Sequence, residues 1–227
     1  MSKPKIKPVQ PDKHWLDPPD WWKKFRPLRI VAILVIVSGA ASGLWSGAKL
    51  VIPPEHPETA RYMAVDPNPV LLIGMFNSYD NIDNVGAKLV AAGYQWRWSK
   101  NHRPPSPRYP PRNLDTVKVE NFKHLNGEGE LTLEFFNDRL YQADFEPKSP
   151  QAYAPALHQN EPRLRVEHVG KGEFEAGALR VVTNVDLAGS DVGQSLHTTP
   201  YVIWQDSRLL RQRDEWDNDY GAISYHP

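Results

Sequence analysis

Cysteine does not occur in the 227 residues. Its lack excludes a disulfide framework, a thiolate nucleophile and a zinc–thiolate site, so any folded part is held by its own apolar core. Metal motifs are missing as well. Eight histidines are present, at 14, 56, 102, 124, 158, 168, 197 and 226, and none is paired at the i, i+2 or i, i+4 spacing that brings two imidazoles to one ion. The phosphate-binding loops are absent too: there is no Walker sequence and no G-x-G-x-x-G, and Gly127-Glu128-Gly129-Glu130 sets acids where an anion would sit. No cofactor is expected. A G-x-S-x-G elbow is also lacking. The composition nearest to a hydroxyl-nucleophile site is residues 189–199, with Ser190, Asp191, Ser195 and His197, and the same composition suits a flexible connection between strands.

Charge is missing from one long stretch. Residues 30–48 carry none, between Arg29 and Lys49. At about 1.5 Å per residue, a helix over this run reaches roughly 28 Å, close to the hydrocarbon thickness of a bilayer. A single transmembrane helix is therefore expected, within a segment 20–52. A cleaved secretory signal is the competing reading, because the apolar core at 30–37 is followed by Ser38-Gly39-Ala40; a 29-residue leader and an uncharged run continuing through Leu44 and Trp45 favour a retained anchor.

Flanking charge sets the orientation. Residues 1–29 hold eight bases and three acids, a net of +5, leaving the rest of the chain at −5 within a formal total of zero. Bases are retained on the cytoplasmic side, so the N-terminus is expected inside and the bulk of the chain in the periplasm or outside the cell. The acidic remainder gives no reason to expect nucleic acid as a partner. Five prolines among the lysines of residues 1–19 predict a disordered arm. Trp21, Trp22 and Phe25 beside Lys23 and Lys24 suit the headgroup zone of the lipid bilayer. Gly39, Gly43 and Gly47 recur every fourth residue with Ser42 beside them, which removes side-chain bulk from one helix face and predicts contact with a second membrane helix, a copy of this chain or another protein.

Proline is abundant after the span, and residues 53–77 read as an extended spacer. Residues 78–227 read as an α+β domain of antiparallel sheet with a few packed helices. Ile82, Val85, Leu89 and Ala92 predict a helix capped by Ser78 or Asp80 and stopped at Gly93. The period then falls to two, which predicts strands: Tyr94, Trp96 and Trp98, then Val117 and Val119, then Leu131, Leu133 and Phe135, alternate with residues assigned to the outer face, Phe136 among them. Asn137-Asp138 predicts a tight hairpin into residues 139–145. Further on, 149–157 suggests a helix, 163–169, 173–185 and 201–204 suggest strands, and Asp206 or Ser207 opens a closing helix with Leu209, Leu210 and Trp216 inward. A loose echo between 135–140 and 203–209 raises the idea of two units of similar pattern, 78–147 and 148–227. The order of helix then meander resembles small envelope modules such as the outer-membrane assembly lipoproteins of the BamE type, in element order alone.

Residues 96–112 combine five prolines with Trp96, Arg97, Trp98, Lys100, Arg103, Arg108, Tyr109 and Arg112. Stiff backbone with arginine and aromatic side chains predicts a partner-binding loop. A membrane-anchored accessory, scaffold or assembly subunit acting through protein contacts, and not an enzyme, is the function these features favour. A periplasmic ligand-binding module, with a cavity lined by Tyr94, Trp96, Phe135 and Tyr201, and a hydrolase at Ser195 and His197 are the alternatives.

Overall fold

The computed structural model describes residues 55–166 and 170–223, within a compact unit of residues 54–227. Its centre is one antiparallel sheet of eight strands with helices on both faces, an α+β architecture as expected. In chain order the elements are α1 (Thr59–Met63), β1 (Leu71–Ile73), β2 (Phe76–Asn77), α2 (Ile82–Ala91), β3 (Trp96–Arg103), β4 (Arg112–His124), β5 (Gly127–Phe136), β6 (Leu140–Pro147), α3 (Pro150–Asn160), β7 (Arg165–Val166), β8 (Gly172–Ala176), β9 (Leu179–Thr183), α4 (Val185–Gly189), α5 (Asp191–Ser195), β10 (Val202–Asp206) and α6 (Ser207–Tyr220). The large sheet runs β3-β4-β5-β6-β10-β9-β8-β7, so the last strand of each meander, β6 and β10, meet at the centre.

Helix α2 forms where the 3.6-residue pattern placed it, burying Ile82, Val85 and Leu89. Its N-cap is Asn81, which accepts from the Asn84 N–H; Ser78 and Asp80 belong instead to the preceding turn, where Ser78 accepts from Val70 N and Asp80 from Asn77 N. Ala92 lies one residue past the helix and is exposed. Gly93 takes φ +78°, with its N–H bonded to Val90 O and that of Tyr94 to Leu89 O, a closure that requires the left-handed region.

Two cores result from the two faces. Val117, Val119, Leu131, Leu133, Phe135, Ala143 and Phe145 meet α2 and α3 on one face. The other is polar along most of its length, but Phe136, assigned to solvent by alternation, is fully buried: it joins Tyr62, Tyr109, Tyr141, Leu209 and Trp216 under α6. Asn137 and Asp138 both have positive φ (50° and 59°), as the two-residue hairpin demands.

Several expectations are corrected. The single strand read over 173–185 is a hairpin, β8 and β9, turning at Gly177 with φ +62°. The strand read over 163–169 is reduced, among the described residues, to Arg165–Val166. Residues 189–199 contain α5, begun by Ser190, rather than only a loop. The spacer 53–77 carries α1, β1 and β2, and Tyr62, Leu72, Ile73 and Phe76 are buried, because its prolines flank short apolar clusters that the domain absorbs. The echoing segments occupy unlike places: 135–140 turns between two strands, whereas 203–209 runs from a strand into a helix.

Candidate interaction surface

The stretch read as a partner loop is mostly strand. Trp96–Arg103 pairs with β4 in unbroken register, from Trp96 opposite Val119 to Arg103 opposite Arg112, and forms one edge of the sheet. Only residues 104–111 connect the strands, closed by mutual hydrogen bonds between Ser106 and Tyr109. The period-two alternation of Tyr94, Trp96 and Trp98 marks the start of this strand; its continuation to Arg103 is obscured by the prolines, all five of which fall in the connection and none in β3.

Its basic and aromatic side chains are largely committed within the domain. Tyr109 is buried against Trp216, with ring centroids 6.2 Å apart, and Trp216 Nε1 donates to Pro110 O. The Arg103 guanidinium lies 4.0 Å from the Tyr109 centroid and donates to Ile223 O. Arg112 makes a fork with Asp217 at 2.7 and 3.1 Å. Arg97 pairs with Glu120 across the strands. Arg108 stands exposed at the tip. Trp98 is not core: it is 42% exposed, beyond the cover of α2, while Trp96 lies against Gly86 of that helix. Asp115, buried at 3% exposure, accepts from Trp98 Nε1 at 2.9 Å and bonds His102 Nε2 at 2.8 and 2.9 Å, fixing both rings along the strand. The Lys100 ammonium sits 3.6 Å from the centre of the Trp98 ring.

The polar sheet face holds a second set of charges. Lys118 bonds Glu130 at 2.7 Å, which raises the lysine pKa, and Arg180 bonds Glu173 at 2.8 Å. Near the centre, Asp144 has a buried Oδ1 without a hydrogen-bond partner among the described residues. Burial, then the charges of Glu146 and Glu134, push its carboxyl up to about 6. An open cleft of about 710 Å³ lies at the end of this face, lined among others by Glu120, Asn121, Glu146, Lys148 and His197. Asn121, at φ +57°, is part of the irregularity where β4 and β5 shift register. Alternation flags these carboxylates as a solvated face; nothing local shows that Asp144 lies where neighbouring strands shield it.

His197 reaches the cleft, but neither nearby serine donates to it. Ser195 Oγ donates to Asp191 O at 2.9 Å and Ser190 Oγ to Leu187 O at 2.7 Å. Tyr94, Trp96, Phe135 and Tyr201 do not line one cavity. Tyr94 and Trp96 border a cleft shared with Arg97, Lys118 and Glu120, while Phe135 is enclosed in the core. On the opposite side, His124 is caged by Phe145, Tyr153 and Trp204, with Nδ1 2.6 Å from the Tyr153 hydroxyl; burial lowers its pKa to about 4.

Gly39, Ser42, Gly43 and Gly47, and the anchor residues Trp21, Trp22 and Phe25, lie outside the described residues, as does the run 30–48. No helix among the described residues is long and apolar enough to cross a membrane. No protein-family model matches the chain, and no significant match was found among curated proteins.

Proposed function

We propose that this chain is a single-pass protein of the cell's inner membrane, N-terminus in the cytoplasm, whose α+β domain on the periplasmic or exterior side serves as an accessory, scaffold or assembly subunit of a membrane protein complex. The observation that carries the reading is the charge-free run 30–48 bounded by an arm of net +5. Joined to it is a domain whose outermost long strand offers a fixed set of basic and aromatic side chains. The helix face at Gly39, Gly43 and Gly47 supplies one contact surface and the edge at 96–112 the other.

Topology and partnership are tested together. Alkaline washing of vesicles is expected to leave the chain in the membrane, and protease added at the cytosolic face to spare the domain. Mild detergent extraction is expected to yield companions that are lost when Gly39, Gly43 and Gly47 are replaced by leucine. Release by alkali, or digestion of the domain from the cytosolic side, refutes the anchored orientation; retention of every companion refutes the helix contact.

A further inference from the structure

Between Asn84 and Leu114 the chain contains six bases and not one acid. β3 occupies the middle of this stretch and is the outermost strand at its end of the sheet, eight residues long against two for β7 at the other end. From Arg97 to His102 every residue is exposed, whichever face it belongs to, so this part of the strand is held by β4 rather than by layers above and below. An edge of this kind presents a row of backbone N–H and C=O groups that templates further pairing. Native edges are commonly blunted by a proline or a bulge; β3 contains no proline, and its pairing with β4 is continuous through all eight positions.

What β3 carries instead is charge. If two copies paired antiparallel through this strand about its centre, Lys100 would face Lys100 or Ser99, and Arg97 would face Arg103 or His102. Like charges directly opposite one another are destabilising. The same residues favour a strand bearing carboxylates. The surface is also pre-ordered: Asp115 pins Trp98 and His102, and the edge-to-face contact of Tyr109 with Trp216 holds the connection beyond the strand. Less conformational freedom is then lost on docking.

We propose that β3 is a docking edge that accepts an extended, acidic segment of a partner protein as a ninth strand of the sheet. Main-chain hydrogen bonds supply the pairing, and the exposed Lys100 ammonium, held over the Trp98 ring, selects the charge. The inference rests on the reading of the chain as a protein-contact subunit, and names the surface and the partner chemistry.

The test uses the full chain in detergent micelles and a blocked ten-residue peptide of alternating glutamate and valine as the probe. Amide hydrogen exchange read by mass spectrometry is expected to show saturable protection confined to residues 96–103. Replacing the probe's glutamates with lysine, or substituting Lys100→Glu in the protein, is expected to weaken binding by about tenfold or more. N-methylating alternate probe residues, which keeps the charge but removes backbone donors, is expected to abolish the protection. Lys100 is exposed, and an unchanged melting curve for Lys100→Glu establishes that this variant is folded. Absence of saturable protection at β3, equal binding of the lysine or N-methylated probe, or protection produced by self-association of the chain without probe each overturns the proposal. Because the peptide is added to solubilised protein, these outcomes do not depend on which way the chain lies in a membrane.

Discussion

The guanidinium of Arg139 donates to the carbonyl of Tyr62, 77 residues earlier in the chain. The same side chain bonds Ala64 O at 2.7 Å, Phe136 O at 3.2 Å and Gln212 Oε1 at 3.1 Å, so one buried cation ties the C-terminal end of α1, the β5–β6 hairpin and α6 together. Burial lowers its pKa to about 10, which leaves it charged at neutral pH. Its acceptors are neutral, and each supplies part of the solvation lost on burial.

Truncation at this position is therefore costly. Arg139→Ala is expected to lower unfolding free energy by about 3–4 kcal/mol, since several buried carbonyls lose their donor at once. Urea denaturation reads the loss. Hydrogen exchange is expected to accelerate first in residues 59–66, the segment that Arg139 holds; uniform acceleration across the sheet would contradict that assignment.

Asn137 shares the Tyr62 carbonyl with Arg139. Its Oδ1 accepts from Asn113 N, its Nδ2 donates to Tyr62 O and Pro111 O, and its backbone sits at φ +50°. Asn137→Gly keeps the turn accessible but removes the side-chain bonds, whereas Asn137→Ala removes the bonds and adds backbone strain. The expected losses are about 2 kcal/mol for glycine and about 3 kcal/mol for alanine. Equal losses would mean that the turn conformation contributes nothing.

His124 makes stability depend on pH. Its pKa falls from 6.5 when unfolded to about 4 in the fold, so between those values the unfolded chain binds the extra proton. The stabilising contribution is complete above about pH 6.5 and is lost as pH falls toward 4, amounting to about 3 kcal/mol at most. His124→Phe, which also forfeits the Tyr153 hydrogen bond, is expected to be less stable at pH 7 yet to lack this acid-side decline in denaturant midpoints.

Asp144 acts in the opposite direction. Its folded pKa of about 6 lies above the usual 3.8, so the folded state binds the extra proton between them, and the charged form is penalised as pH rises through 6. Asp144→Asn is expected to stabilise the domain at pH 7.5 by up to about 2 kcal/mol after allowance for solvent screening, with the gain vanishing by pH 4. The Asp144 and His124 contributions oppose each other between pH 4 and 6. Wild-type stability is thus expected to change less over this range than that of Asp144→Asn, which a pH series of thermal melts measures directly.

How much could be read from the chain alone varies with the range of the interactions involved. Helix α2 was legible because Ile82, Val85 and Leu89 share a helical face and Gly93 suits a left-handed stop; both signals lie within twelve residues. The hairpin at Asn137-Asp138 was legible for the same reason. The division of 173–185 was missed because Gly177 interrupts an apolar pattern that continues on both sides of it. The start of β3 was legible in the alternation of Tyr94, Trp96 and Trp98, whereas its extension to Arg103 was obscured by the prolines that follow. The candidate surface was thus legible in composition and only partly in form: Arg97, Trp98 and Lys100 stand out in the sequence, while Asp115, which orders Trp98 and His102, does not.

The chain by itself determined the elements whose cause is local: the uncharged run and the bias of its flanking charges, the α2 periodicity, the turn residues and the absence of thiols. Tertiary structure decided which face of β5 would carry Phe136, that Tyr62, Leu72 and Phe76 would enter the domain instead of a spacer, and that β3 would be left at an edge. The physical reason is that burial and strand order depend on contacts between residues far apart in sequence. Alternation tells a side chain which neighbours share its face, but not whether a distant helix such as α6 arrives to cover it.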